Sequence, residues 1–183
     1  MLRIYNTDIN SNEFKKIDNF EMGCWVTLVA PTEAELIKVS NSLGIKKNFI
    51  LSMLDNDEQP RIDEEDGCKM LLLDVPIPHI KNKTEAVKTL PLGIIIVRND
   101  YIITVCLQKY QLLDEFTQGK VKEFYTYKKS RFVIQMIYRV AISYLKILKD
   151  IDKKISEAEE KMLGATKNEE LLNLLALENS LTY

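Results

Sequence analysis

The chain has 183 residues, 46% of them hydrophobic and 28% charged, with 25 Lys and Arg against 27 Asp and Glu and a formal net charge of -2. This balance excludes a largely disordered chain and suits one compact domain with an appendage. It lacks the strongly basic character of a dedicated nucleic-acid binder and offers no polybasic case for membrane-surface attachment.

A membrane-spanning helix needs about 20 consecutive apolar residues. The best runs, Leu92 to Val97 and Tyr101 to Leu107, are split by Arg98-Asn99-Asp100. Met1-Leu2-Arg3-Ile4 lacks the apolar core of a secretory signal. The chain is therefore expected to be soluble and cytosolic. Its three cysteines, Cys24, Cys68 and Cys106, are isolated in apolar stretches without metal-ligand spacing, which predicts buried free thiols.

In chain order, Leu2 to Tyr5 and Cys24 to Val29 read as strands, the second rich in β-branched and aromatic residues. Thr32-Glu33-Ala34-Glu35 matches a capping box, so a helix begins there. Leu36, Val39, Ser40 and Leu43 follow at helical spacing, and Gly44 is the stop. A second helix is predicted over Lys47 to Leu54. Arg61 to Glu64 enters a strand, Asp66-Gly67 is a turn, and Cys68 to Val75 is a near-continuous apolar strand, as in a sheet covered on both faces. Pro76, Pro78 and the polar Lys81-Asn82-Lys83 predict a loop. Leu92 to Val97 and Tyr101 to Leu107 form a hairpin, with Gly93 placed for the close approach of another backbone. Gln111 to Gln118 is helical, ended by Gly119.

From Ser130 the pattern changes. Val133, Ile137, Val140, Tyr144, Ile147, Ile151, Ile155, Ala158 and Met162 recur at intervals of four and three, the mark of a long amphipathic helix with a coiled-coil-like seam. Extended to Leu163 it would be roughly 50 Å long, more than a small domain can cover. Its distal half is dense in charge, Gly164 interrupts it, and a Leu-rich helix starts near Asn168. That pattern still runs at Tyr183, which reads as a boundary inside a helix.

Few residues suggest chemistry. The acidic segments Asp55-Asn56-Asp57-Glu58 and Asp63-Glu64-Glu65-Asp66 suit a hard cation, but an EF-hand from Asp55 fails because Pro60 occupies the position that needs glycine. The other reading of these acids is a solvated loop beside a hairpin. His79 is the single histidine and no glycine-rich phosphate loop exists. No nucleophile–base set supports an enzyme.

Taken together, Phe49-Ile50-Leu51-Ser52-Met53-Leu54-Asp55, Gln59-Pro60-Arg61-Ile62-Asp63, Gly67, Leu73-Asp74-Val75, Leu92 to Val97 and Asn99 to Val105 are informative in their order and spacing. With the long charged helix and the Leu-rich helix after it, the chain resembles the cytoplasmic N-terminal region of the CorA family of divalent-cation transporters. The resemblance implies an α+β fold, an α/β/α sandwich over residues 1–129. A long antiparallel helical hairpin over 130–183 follows, truncated in its second helix, and the stalk and transmembrane helices lie beyond it. It implies a homopentamer on the cytoplasmic side of the cell membrane, touching the membrane only through segments outside this sequence. It implies a carried cation, Mg²⁺ or in relatives Co²⁺, Ni²⁺ or Zn²⁺, and a pore signature Gly-Met-Asn that this sequence does not contain. It also implies a regulatory Mg²⁺ site between subunits. Aligned on Pro60, the family's acidic positions fall on Leu51 and Ser52, and the nearby carboxylates are Asp55 and Asp57. The expected role is intracellular cation sensing that gates a pore; the alternative is a soluble protein-interaction module with no ion-related role.

Overall fold

A computed structural model describes residues 1–81, 84–164 and 168–181. Seven strands form one sheet: β1 (Leu2–Thr7), β2 (Phe14–Ile17), β3 (Trp25–Val29), β4 (Arg61–Glu65), β5 (Cys68–Lys81), β6 (Thr84–Val97) and β7 (Tyr101–Cys106). Their order is β2-β1-β3-β7-β6-β5-β4. β3 and β7 are parallel, with Thr27 beside Thr104, whereas β1 runs antiparallel to β2 and β3, β4 to β5, and β6 to β7. The helices are α1 (Glu33–Leu43), α2 (Lys47–Leu51), α3 (Gln111–Thr117), α4 (Lys129–Gly164) and α5 (Asn168–Leu181), and a 3₁₀ turn over Ser52–Leu54 follows α2.

The chain divides into two compact units, Met1–Asp74 with Pro91–Tyr138, and Val75–Leu90 with Arg139–Tyr183. In the first, strand alternation sends side chains to two cores. Val26, Leu28, Ile103 and Val105 pack on one face with Leu36, Val39 and Leu43 of α1, Ile50 of α2 and Met53 of the 3₁₀ turn. On the other face Trp25 touches the rings of Tyr5, Phe116, Phe124 and Phe132, at centroid distances of 5.4, 6.1, 5.7 and 5.1 Å. Its indole N–H donates to Thr104 Oγ1 at 3.0 Å. Each such ring pair adds about 0.5–1.5 kcal/mol beyond the area it buries. The helices thus flank the sheet on both faces, an α/β/α arrangement.

α1 starts as its sequence dictates. Glu35 N–H donates to Thr32 Oγ1 and Thr32 N–H donates to Glu35 Oε2, closing the capping box. Gly44, at φ 65°, ends the helix in the left-handed conformation. The hairpin turn places Arg98 and Asn99 at positive φ, and Asp100 N–H donates to Val97 O at 2.7 Å.

Three expectations are corrected. The loop expected at Pro76 to Lys83 is strand as far as Lys81, and β6 begins at Thr84, well before Leu92; Asn82 and Lys83 lie outside the described residues. β4 pairs with β5 only as far as Leu72, so the prolines fall beyond β4's reach and cost no bond on that edge. Gly93 admits a side chain rather than a backbone: a Cβ there would collide with Met53 Sδ. The helix expected over Lys47 to Leu54 tightens to a 3₁₀ turn for its last three residues.

Along α4, Phe132, Met136, Val140, Ile151 and Ala158 are buried. Ile137, a member of the expected seam, is exposed, and Ile134, Tyr138, Ile142, Leu145 and Leu148 form further exposed apolar positions. Met162 has a side chain outside the described residues.

Candidate functional site

The acidic segments flank the polar link between the 3₁₀ turn and β4 and extend through the β4–β5 turn. Most of their carboxylates are already matched to cations. Arg61 reaches Glu58 and sits 2.6 Å from Asp63 Oδ2. Lys46, at the start of α2, sits 2.5 Å from Glu65 and 2.9 Å from Asp66. Hydrogen bonds to Asp63 and Glu58 push the Arg61 guanidinium up, and those to Glu65 and Asp66 push the Lys46 ammonium up. Lys69 lies 4.0 Å from Glu64. An open cleft of about 440 Å³, lined in part by Asn48, Ser52, Arg61, Asp63 and Glu64, runs beside these pairs.

Asp55 and Asp57 enter none of these pairs. Both are exposed at the end of the 3₁₀ turn, where Asp57 N–H donates to Asp55 Oδ1 at 3.0 Å. Leu51 is exposed and offers no ligand atom, and the Ser52 hydroxyl donates to Phe49 O at 3.1 Å. Among the described residues, no group of three or more His, Cys, Asp or Glu side chains is placed to hold a metal. Two adjacent carboxylates in water fit a hydrated Mg²⁺, which keeps most of its waters and takes one or two carboxylates; they do not fit a closed protein cage. Lys46 and Arg61 were not legible as part of this surface. Arg61 could have been read from its own neighbours, but Lys46 is 19 residues from Glu65 and only the fold joins them.

The other chemistry-bearing residues hold structural places. Cys24, Cys68 and Cys106 are free and buried. Burial pushes the Cys24 thiol up to about 11 and that of Cys106 up to about 12, so both stay protonated and poorly nucleophilic. The His79 backbone lies in β5, and its side chain is outside the described residues. At the start of α4, Arg131 pairs with Glu123, and Lys128 Nζ lies 4.8 Å above the Tyr125 ring, which offsets the clustering of cations there.

The sequence matches the family described as CorA-like Mg2+ transporter protein over residues 21–183. The chain belongs to that family. It is 25% identical over 168 residues to the cobalt/magnesium transport protein CorA of Methanocaldococcus jannaschii, covering 87% of this chain and 50% of that protein. The chain thus spans about half the length of the curated relative it matches. The structure of the soluble domain of CorA from the same organism shares the fold, with a TM-score of 0.82 at 20% identity, covering 100% of this chain and 72% of that one. The complete CorA structure from that organism gives 0.81 at 21% identity, covering 100% and 57%. The α+β fold with a long helix near its C-terminal end is therefore that of a CorA soluble domain. No helix among the described residues is long and apolar enough to cross a membrane.

Proposed function

We propose that this chain is the cytoplasmic, cation-sensing part of a CorA-like divalent-cation transporter. Residues 1–129 form its α/β/α domain and residues 130–183 its helical arm. The family match over residues 21–183 carries this reading. The carried ion is Mg²⁺, with Co²⁺, Ni²⁺ or Zn²⁺ as the alternatives, and the working assembly is a homopentamer at the cytoplasmic side of the membrane. The relative it resembles is a transport protein, which favours transport over catalysis.

Asp55 and Asp57 would hold the regulatory Mg²⁺. The pairing of Glu58, Asp63, Glu65 and Asp66 with Arg61 and Lys46 supports this assignment, because those cations leave the local excess of negative charge on the two aspartates. Like charges on neighbouring subunits repel. A bound Mg²⁺ offsets that repulsion and favours the state in which subunits are close, whereas cation loss favours their separation. Exposed carboxylates bind such an ion weakly, which suits a sensor that must release it as the cellular level falls.

The test is Mg²⁺ flux into vesicles carrying the full-length protein, followed with an internal Mg²⁺ dye. Asp55→Asn with Asp57→Asn is expected to leave a flux that internal Mg²⁺ no longer suppresses. Absence of flux of Mg²⁺, Co²⁺, Ni²⁺ and Zn²⁺ alike from the unaltered protein would refute the transporter reading. Normal suppression in the double variant would refute the role of the two aspartates.

A further inference from the structure

Strand alternation puts Gly93, Ile95 and Val97 of β6 on the sheet face covered by α1, α2 and the 3₁₀ turn, where Ile95 and Val97 join the core and Gly93 leaves a gap. Val105 of β7 stands opposite Gly93 in the ladder. Met53, the middle residue of the 3₁₀ turn, is wholly buried and fills that gap. A Cβ on residue 93 would lie 2.2 Å from Met53 Sδ, 2.7 Å from its Cγ and 2.8 Å from its Cβ. The thioether could swing aside, but the Cβ of Met53 moves only with its backbone. A side chain at position 93 therefore lifts the turn itself, since a close-packed core passes strain on to its neighbours.

The link that carries Asp55 and Asp57 starts directly after this turn. It is held again at its far end, where Arg61 of β4 pairs with Glu58 and Asp63. The two aspartates thus stand on a short span between a buried peg and an ion-paired arginine. Both are exposed, and the cations of Lys46 and Arg61 are engaged by other carboxylates, so the backbone and its anchors set where they stand. From this geometry we infer that Met53 and Gly93 are positioning residues for the response to Mg²⁺, an inference that rests on the sensing role proposed for Asp55 and Asp57. A ligand set about 1 Å out of place binds loosely even when every ligand is present. An ion shared between subunits depends further on how far the link projects from its own domain. The seat of Met53 on Gly93 fixes that projection from one end.

The test reads suppression of flux by internal Mg²⁺ in vesicles carrying the full-length protein, with the thermal midpoint of each variant alongside. Gly93→Ala lifts the peg and Met53→Ala removes it, so each should raise the half-suppressing Mg²⁺ concentration by about fivefold or more. Combined, they should do no more than the stronger alone, because both act on one contact. Phe116→Leu, in the aromatic core on the opposite face, lowers stability without touching the turn and should stay within about twofold of the unaltered protein. In this chain without metal, the NMR signal of the Asp57 amide reports its hydrogen bond to Asp55. That signal should move in Gly93→Ala and Met53→Ala and stay in place in Phe116→Leu. Normal suppression in both seat variants, with suppression lost in Asp55→Asn/Asp57→Asn, overturns the inference and leaves the sensing role intact. Normal suppression in the aspartate variant overturns both. An equal shift in Phe116→Leu also overturns the inference, because lost stability alone would then explain the effect. Should Gly93→Ala fail to fold, Met53→Ala makes the comparison by itself, and an unmoved Asp57 signal with normal suppression overturns the inference.

Discussion

Glu35 shows how much one side chain organises. Its carboxylate accepts from Leu2 N–H at 2.6 Å and Thr32 N–H at 2.8 Å, and it lies 2.9 Å from the Met1 ammonium. Burial raises its pKa, but these hydrogen bonds and the ammonium outweigh burial and bring it down to about 2. Its folded-state pKa is therefore below the ordinary value of 4.5, so the stabilisation is fully present above about pH 4.5 and is lost as pH falls toward 2. Glu35→Gln should lower the urea midpoint most at neutral pH, and the gap from the unaltered protein should narrow as pH falls from about 6 to 3. A gap independent of pH would show that the charge of Glu35 is not what ties β1 to α1. The capping role of Glu35 was legible, because the box is a local four-residue pattern. Its grip on β1 was not, since 33 residues separate Leu2 from it. The candidate cation residues divide the same way: Asp55 and Asp57 stand out in the sequence as acids, but their standing apart from the ion pairs of Lys46 and Arg61 is a product of the fold.

At the scale of elements, the aromatic cluster fixes the start of α4 to the sheet. Phe132 is fully buried against Trp25, Phe116 and Phe124, with centroids 5.1, 5.2 and 5.0 Å away. Phe132→Ala should cost about 3–5 kcal/mol of unfolding free energy in urea denaturation, whereas the exposed Ile134→Ala should cost under about 0.5 kcal/mol. Equal losses would mean that the helix start is held by something other than this cluster. The 3.6-residue periodicity predicts α4 to within a residue or two of its observed ends, because a helix that long is a local pattern repeated many times. Strand limits were less legible. β2 is a four-residue edge strand, Phe14-Lys15-Lys16-Ile17, whose lysines protect the edge and hide the apolar alternation. β5 runs through Pro76 and Pro78, residues that ordinarily signal a break, on a stretch beyond its pairing with β4. Periodicity also recovers only one apolar face of α4. The exposed row at Leu145 and Leu148 is visible only once burial is known.

For the whole molecule, family membership rests on the match over residues 21–183, and the fold on the CorA soluble domain. Cation sensing is the proposed step that connects them to function. The most direct measurement is the thermal midpoint of this chain as Mg²⁺ is added, with Asp55→Asn/Asp57→Asn alongside. A ligand bound only by the folded state stabilises by RT ln(1+[L]/Kd), which is about 1.4 kcal/mol at ten times Kd. In a chain of this size that raises the midpoint by about 3 to 6 °C. The unaltered protein should show this rise at millimolar Mg²⁺ and the double variant should not; the same rise in both would contradict cation sensing through Asp55 and Asp57, and no rise in either would contradict a site held within this chain alone.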